Sequence, residues 1–477
     1  MWCSRSNRMR AIGIDTCGPA DMHATTFRAR RTGASQFASD LHSLVTLALP
    51  IVAGLVCSAL MGLVDSAVVA PLGHAALAAV SLTGSVLLVF IATLFGLMSA
   101  TGMLAAQSFG AGMQAAVSSH RRAGWRFALA AGFSAAALMG VAWLLLPLLG
   151  QPQDVLAVMF GYWFWSALTL VPLALLFAYK QLFDAIDRPG IALAVLAATV
   201  PLNAGLSAWF VQGGFGLPAF GLVGAGVGSF LANVGAAAGF VLLANHHPAL
   251  RRWFHETAPW REALKRQHTE GAPMGLQYLF ETGANAAAGL MVGAFGAVAL
   301  AANQITMSVT MLLYMVPLGI ASAAGLRIAQ AVGAGDHAAC WPLARAALLV
   351  AAAWMGTAGV ALALGGHKVA RWFSVDEAVI ATTAALCVSV ALMQVADGVQ
   401  SVSLGALRGL LESRWPTRVS LACCWCIALP AAWVLSELLG FGPAGVWWGF
   451  GMGLTVAAAA LTLHLRQITQ RPMRPDR

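Results

Sequence analysis

The sequence predicts an all-α polytopic membrane protein, with twelve transmembrane helices arranged as two six-helix halves related by a pseudo-twofold repeat. Composition, segment length and internal similarity each support this fold class. Of the 477 residues, 59% are hydrophobic and 9% are charged, whereas an average soluble protein has about 25% charged residues. Lipid is therefore the main solvent of this chain. The 50 glycines suit closely packed transmembrane helices, because small residues let helix backbones approach one another.

Apolar segments follow one another along the chain with short breaks. A helix needs about 20 mostly apolar residues to cross a bilayer. Glycine and proline punctuate several of the breaks, as they do where helices end. The approximate predicted spans are 43–70, 79–106, 125–149, 155–179, 190–211, 220–244, 272–294, 299–326, 343–365, 377–404, 417–439 and 444–465.

The first two spans have a counterpart in the seventh and eighth. Residues 48–112 align without a gap on residues 271–335, at a constant shift of 223 residues. Glycine and proline set where helices kink or pack closely, so their coincidence indicates a repeated architecture rather than a shared apolar composition. The coinciding pairs include Pro50 and Pro273, Gly73 and Gly296, Gly96 and Gly319, Gly102 and Gly325, Gln107 and Gln330, and Gly110 and Gly333.

The long basic connection at 245–271 divides the chain into an N-terminal lobe, 41–244, and a C-terminal lobe, 272–466. We expect the basic tails, 1–40 and 467–477, to be cytoplasmic and the first of them to be disordered. With both termini inside, every Lys and Arg except Lys368 and Arg371 falls on the cytoplasmic side, which satisfies the positive-inside rule. Because six crossings return the chain to the same side, the halves share one orientation and are related by an axis along the membrane normal.

Three acidic residues lie deep in the predicted spans: Asp65, Glu281 and Asp397. An isolated charge at mid-helix costs roughly 2.5 to 3.5 kcal/mol on the insertion scale. The predicted spans place no Lys or Arg beside these acids as a fixed partner. We therefore expect them to hold protons or to bind a mobile cation. The alternative is that each acid makes a structural polar contact between helices.

Both H⁺ and Na⁺ suit such a site. Burial and mutual repulsion favour protonation of neighbouring carboxylates, whereas Na⁺, a hard ion, prefers several oxygen ligands. Glu281 and Asp397 could supply these ligands together with Asn285, which lies one helical turn after Glu281. No other metal site or cofactor is expected.

Three aromatic residues, Tyr278, Phe280 and Tyr314, lie near Glu281 in the sequence or in the following helix. Aromatic faces attract organic cations, so these side chains are candidates for a substrate path. Packing against lipid or in the core is the alternative for each of them.

Several segments resemble motifs of the multidrug and toxic compound extrusion (MATE) family. The likeness covers residues 40–465 and is closest to the NorM-like bacterial branch in the tenth span. One departure is that Asn203 is followed four residues later by Ser207, where the DinF-like and archaeal branch places an Asp. The segments that carry the resemblance are 50–81, 107–112, 319–336, 397–400 and 405–409.

The resemblance implies a multi-pass exporter of the bacterial inner membrane that exchanges Na⁺ or H⁺ for organic cations. Its coupling acids, on helices one, seven and ten, carry over to Asp65, Glu281 and Asp397. We expect a secondary multidrug antiporter that works by alternating access, is monomeric, and is not an enzyme. The sequence gives no reason to invoke nucleic acid. The Gly-Ala-Gly turns at 110–112 and 333–335 lack the Lys-Ser/Thr of a phosphate-binding loop, so no ATP use is expected.

Two alternatives to an antiporter remain, one of the same superfamily and one of another class. A lipid-linked precursor flippase of the same superfamily needs a cationic cavity for a pyrophosphate, whereas the buried charges found here are acidic. An intramembrane enzyme or a receptor is the other alternative, but the spans contain no Ser/His/Asp set.

Overall fold

The computed structural model describes residues 34–149, 153–214, 216, 218–256 and 259–470, and within them the chain forms twelve long helices. A short helix, Pro248–Phe254, lies in the connection between the two halves. The long helices are α1 (Ala34–Val69), α2 (His74–Gly110), α3 (Gln114–Leu145), α4 (Gln153–Ala185), α5 (Pro189–Gln212), α6 (Leu222–His246), α7 (Arg261–Gly293), α8 (Ala297–Gly333), α9 (Cys340–Phe373), α10 (Glu377–Gly409), α11 (Arg414–Leu438) and α12 (Gly442–Gln470).

Eleven of these helices are long and apolar enough to cross a membrane. The remaining one, α7, is equally long but less apolar, since it begins in a polar stretch and carries Gln277, Glu281 and Asn285. The predicted all-α polytopic fold class is confirmed. Residues 34–40, predicted as part of the N-terminal tail, belong to α1; the rest of that tail and residues 471–477 lie outside the described residues.

Helix ends are where the sequence-based spans depart most from the structure. Helix α4 runs to Ala185 rather than ending near residue 179, and α10 runs to Gly409 rather than ending near residue 404. As a result Lys180, Asp184 and Arg408 lie inside helices and are almost fully buried.

The repeat is visible in the backbone. The residue before α2, Gly73, has φ 100° and ψ 176°, and its counterpart before α8, Gly296, has φ 101° and ψ 179°. After the same two helices, Gly112 and Gly335 adopt φ values of 70° and 77°. Positive φ favours glycine, which explains why these positions coincide in the two sequence copies.

The two halves pack against each other through reciprocal contacts of the repeat. Gly110 of α2 lies against the backbone of Gln330 in α8, and Gly333 of α8 lies against the backbone of Gln107 in α2. A side chain at either glycine would collide with the opposing carbonyl group. The pseudo-twofold axis therefore passes between the C-terminal ends of α2 and α8.

In the C-terminal half the central element is α10, which packs against α8, α9 and α12. In the N-terminal half α4 has the equivalent position, against α2, α3 and α6. Helices α2 and α7 connect the halves at a second place, where a Cβ on Gly96 would lie 3.0 Å from the Cα of Gly275. Helix α10 also contacts α2, so the acid-bearing helices α7 and α10 both border the interface between the halves.

Candidate functional site

A small cavity lies between the two halves. Two helices of the N-terminal half and three of the C-terminal half contribute to its walls. Its lining combines hydroxyl, amide, aromatic and charged side chains with apolar ones: Ser99 and Met103 of α2, Gln181 of α4, Tyr278 and Glu281 of α7, Tyr314, Leu318, Ala321 and Ser322 of α8, and Ser401, Leu404, Gly405 and Arg408 of α10.

The structure brings Glu281 and Asp397 together. They project from α7 and α10 and are electrostatic neighbours. Tyr314 of α8 is close to both carboxyl groups, and its hydroxyl donates a hydrogen bond to Ser401 Oγ at 3.1 Å. Both acids are partly exposed. Two carboxyl groups, a phenol and a hydroxyl therefore surround one region at the edge of the cavity.

Asp65 lies in a different environment, among helices of the N-terminal half. Its Oδ1 accepts hydrogen bonds from Asn203 Nδ2 of α5 at 2.8 Å and from Ser229 Oγ of α6 at 2.9 Å. Asn203 Oδ1 and Ser207 Oγ are fully buried and have no hydrogen-bond partner among the described residues. The three predicted acids thus form two groups, one in each half.

The other predicted site residues differ in their placement. Tyr278 and Tyr314 line the cavity. Phe280 instead packs edge-to-face on Trp425 of α11, with ring centroids 6.3 Å apart. Asn285 is exposed, and its Nδ2 donates to the main-chain oxygen of Glu281 at 3.0 Å rather than to a carboxylate. Two of the three aromatic candidates, Tyr278 and Tyr314, therefore line the cavity.

Arg408, which lines the same cavity as Glu281, is not among the residues predicted for the site. The spans were expected to offer the acids no Lys or Arg as a fixed partner, but Arg408 lies inside α10 and its charge acts on Glu281. Arg408 belongs to α10, and the signal that could have found it is its spacing. Asp397, Ser401 and Arg408 are separated by four and seven residues, which places them on one face of the helix.

A second missed feature is a buried ion pair within α4. Lys180 Nζ lies 2.6 Å from Asp184 Oδ2, and the two side chains are 6% and 2% exposed. The i, i+4 spacing is the usual one for an ion pair on a helix. Asp184 therefore has a fixed partner, unlike the acids at the cavity.

Two helical lobes with a polar, partly charged cavity between them define a membrane transporter of the alternating-access class. The MatE family model matches residues 50–209 and again residues 273–434. The two matches begin 223 residues apart, at Pro50 and Pro273, which is the shift of the internal repeat. The chain belongs to the MatE family, the multidrug and toxic compound extrusion transporters.

Similar proteins include a probable multidrug resistance protein NorM of Bradyrhizobium diazoefficiens, 34% identical over 426 residues, or 85% of this chain and 89% of the relative. A NorM protein of Agrobacterium fabrum is 31% identical over 94% of this chain and 98% of the relative.

Among solved structures, the eukaryotic MATE transporter AtDTX14 superposes with a TM-score of 0.82 at 19% identity, over 92% of this chain and 100% of that one. A Vibrio cholerae MATE transporter, VcmN, superposes with a TM-score of 0.78 at 21% identity, over 91% of this chain and 98% of that one. The fold is therefore that of MATE transporters, and the protein is a multi-pass membrane protein.

Proposed function

We propose that this protein is a secondary multidrug efflux antiporter of a bacterial inner membrane, which exchanges Na⁺ or H⁺ for cationic aromatic compounds. The observation that carries the proposal is the neighbouring pair Glu281 and Asp397 beside a cavity between the halves. Both relatives described above are named probable multidrug resistance proteins. Tyr278 and Tyr314 give the cavity the aromatic faces that organic cations prefer.

Exchange follows from competition for the same negative charge. An ion bound at Glu281 and Asp397 neutralises the pair, and the cationic group of a drug needs the same carboxylates. Each ligand excludes the other, and each favours the conformation to which it binds more strongly. Asn285, which lies on α7 like Glu281, remains a candidate Na⁺ ligand through its amide oxygen.

The Asp65 group is proposed as a second cation site of the same transport cycle. Its support is the Asp65 carboxylate, which accepts a hydrogen bond from Asn203 Nδ2, together with two buried oxygens one turn apart on α5. These are Asn203 Oδ1 and Ser207 Oγ, and neither has a hydrogen-bond partner in the described part of the chain. Buried oxygens of this kind are costly unless a proton, a cation or water satisfies them. Ser207, which replaces the Asp of the other branch, contributes an oxygen but no charge.

Alternating access requires the halves to separate on one face at a time. In this structure the reciprocal glycine contacts close the face at the C-terminal ends of α2 and α8. The distribution of Lys and Arg assigns that face to the cytoplasm. We therefore assign the structure to a state that is closed to the cytoplasm, from which the acids would take up a cation from outside.

The test is ethidium efflux from cells that express the wild-type protein, Glu281→Gln or Asp397→Asn at equal levels. Glu437→Gln is the matched control, since Glu437 is an exposed acid on α11. We expect the efflux rate of Glu281→Gln and of Asp397→Asn to fall about tenfold or more, because each change removes a group that the transport step needs. The control should keep the wild-type efflux rate. Full, ion-dependent efflux by both cavity variants would refute the proposed site.

A further inference from the structure

Helix α10 carries a buried positive charge on the same face as its coupling acid. Arg408 is 8% exposed. The residues that hold its guanidinium are neutral: Nη2 donates to Gln277 Oε1 at 3.1 Å, and Nη1 donates to the Tyr278 hydroxyl at 3.2 Å. The guanidinium carbon lies 4.8 Å from the centre of the Tyr278 ring. Arg408 is therefore held in place without being neutralised.

Within the described residues, no carboxylate lies within 4.0 Å of Arg408, and its Nε, which is buried, has no hydrogen-bond partner. A buried charge without a counterion is unfavourable by several kcal/mol unless another charge compensates it at longer range. A neutral side chain could also donate hydrogen bonds that join α10 to α7, so these contacts do not explain why the residue is charged. We therefore look for an acidic side chain at longer range that compensates the charge of Arg408.

That partner is Glu281. Both side chains line the cavity, and Glu281 experiences the electrostatic field of Arg408. Gln277 is a neighbour of both: its Oε1 accepts a hydrogen bond from Arg408, and it precedes Glu281 by one turn of α7. The arginine and the carboxylate make no ion pair within 4.0 Å, but they are close enough to interact electrostatically in a poorly hydrated cavity.

We propose that Arg408 is a resident countercharge for Glu281, which sets the affinity of the acid pair for the coupling cation. This inference rests on the proposed antiport function. Two adjacent carboxylates without a positive neighbour would bind a cation tightly and release it slowly. A fixed positive charge near the carboxylates, but not in contact with them, weakens the binding of the coupling cation, so that a drug cation can displace it. Arg408 is in this sense a positioning residue that acts through Glu281.

The test uses purified protein in proteoliposomes, with ethidium exchange driven by a series of Na⁺ concentrations and, separately, of H⁺ concentrations. The measured quantity is the coupling-ion concentration that gives half-maximal exchange. In Arg408→Gln we expect this half-maximal concentration to fall about tenfold, because removing one nearby positive charge strengthens cation binding, while the maximal rate decreases.

Two further variants serve as controls. Arg408→Lys keeps the charge, and its half-maximal concentration should stay within about threefold of the wild type. The exposed Arg345, on α9 of the same half, gives the control Arg345→Gln.

A purely structural role for Arg408 would reduce the amount of folded protein or the maximal rate and leave the half-maximal concentration unchanged. Gln277→Met provides a second measurement with the opposite sign. Freed from Gln277, the guanidinium moves closer to Glu281, and the half-maximal concentration should rise. This variant keeps the proposal testable if Arg408→Gln does not fold.

Glu281→Gln, assayed in parallel, separates the two proposals. If it retains full ion-coupled exchange, the proposed acid site is wrong. If it abolishes exchange, while Arg408→Gln and Gln277→Met leave the half-maximal concentration within twofold of the wild type, the acid site stands and the countercharge is refuted.

Discussion

Four of the acids within the described helices differ in their partners, and that difference separates the structural role of Asp184 from the proposed functional roles of Asp65, Glu281 and Asp397. Asp184 has a lysine at 2.6 Å. Asp65 has an amide and a hydroxyl donor, at 2.8 and 2.9 Å. Glu281 and Asp397 have each other. Because a pair of like charges is unfavourable in a poorly hydrated site, Glu281 and Asp397 most need a mobile cation or a proton to be stable together. Asp65 has neutral partners only and belongs to the proposed second cation site.

The ion pair in α4 gives a prediction about stability. In Lys180→Met, Asp184 remains buried without its counterion, and we expect a loss of about 3 to 5 kcal/mol. The double variant Lys180→Met with Asp184→Leu removes both charges and should recover most of this loss. Thermal unfolding in detergent measures both. A double variant that unfolds at the same temperature as the single variant would show that the pair is not the source of the effect.

At the scale of helices, the reciprocal contacts between α2 and α8 depend on the absence of a side chain. Gly333 lies against the backbone of Gln107, and neither backbone has room to yield inside a packed helix pair. The equivalent contact of the other repeat copy is that of Gly110 with the backbone of Gln330.

Gly333→Ala should therefore force the halves apart at this point and impair closure of the face that we assign to the cytoplasm. We expect ethidium transport to fall by about tenfold or more, since a transport cycle that lacks one of its conformations cannot turn over. Gly140→Ala is the matched control, because a Cβ at Gly140 meets nothing within 4 Å. Equal transport by the two variants, at equal expression, would contradict this interpretation.

Helix number, order and type were predictable, because apolar length and the Gly and Pro repeat depend on local sequence. Helix ends were not. The predicted spans of α4 and α10 stopped before Lys180 and Arg408, since a charged side chain is a normal signal for the end of a membrane span. Inside the protein these charges have partners from the same or a neighbouring helix, and the sequence does not show which helices are neighbours.

At the scale of the whole molecule, polar contacts supplement the symmetric glycine contacts. Arg327 Nη1 of α8 lies 2.9 Å from Asp187 Oδ1 and 3.0 Å from Oδ2, in the turn between α4 and α5. Gln330 Nε2 donates to the same Asp187 Oδ1 at 3.0 Å and to the Ala185 carbonyl oxygen at 3.0 Å. These bonds join the two halves on the closed face only.

Arg327→Gln should shift the population towards the state that is open on this face, because it removes a charged contact made in one conformation alone. Spin labels at Met113 and His337, exposed positions beyond the ends of α2 and α8, would report the separation. We expect a longer distance in the variant than in the wild type, with Arg345→Gln unchanged. An unaltered distance distribution in Arg327→Gln would argue against this contact as a stabiliser of the closed face.

The candidate site was partly predictable at this scale. Glu281 and Asp397 could be identified because acids are conspicuous in apolar helices, and the structure does bring them together. The separation of Asp65 from them could not be identified, since it depends on α1 packing against α5 and α6 within its own half. The surroundings of Arg408 likewise depend on contacts between α7 and α10, which are 131 residues apart at Gln277 and Arg408.

The central claim is that a cation gradient, acting through Glu281 and Asp397, drives drug movement. The most direct test is ethidium transport against its own gradient in proteoliposomes under an imposed Na⁺ gradient or an imposed pH gradient. We predict uphill transport by the wild type under at least one gradient, and none by Glu281→Gln or Asp397→Asn under either. Uphill transport that persists in both variants, or that never occurs in the wild type under either gradient, would contradict the account.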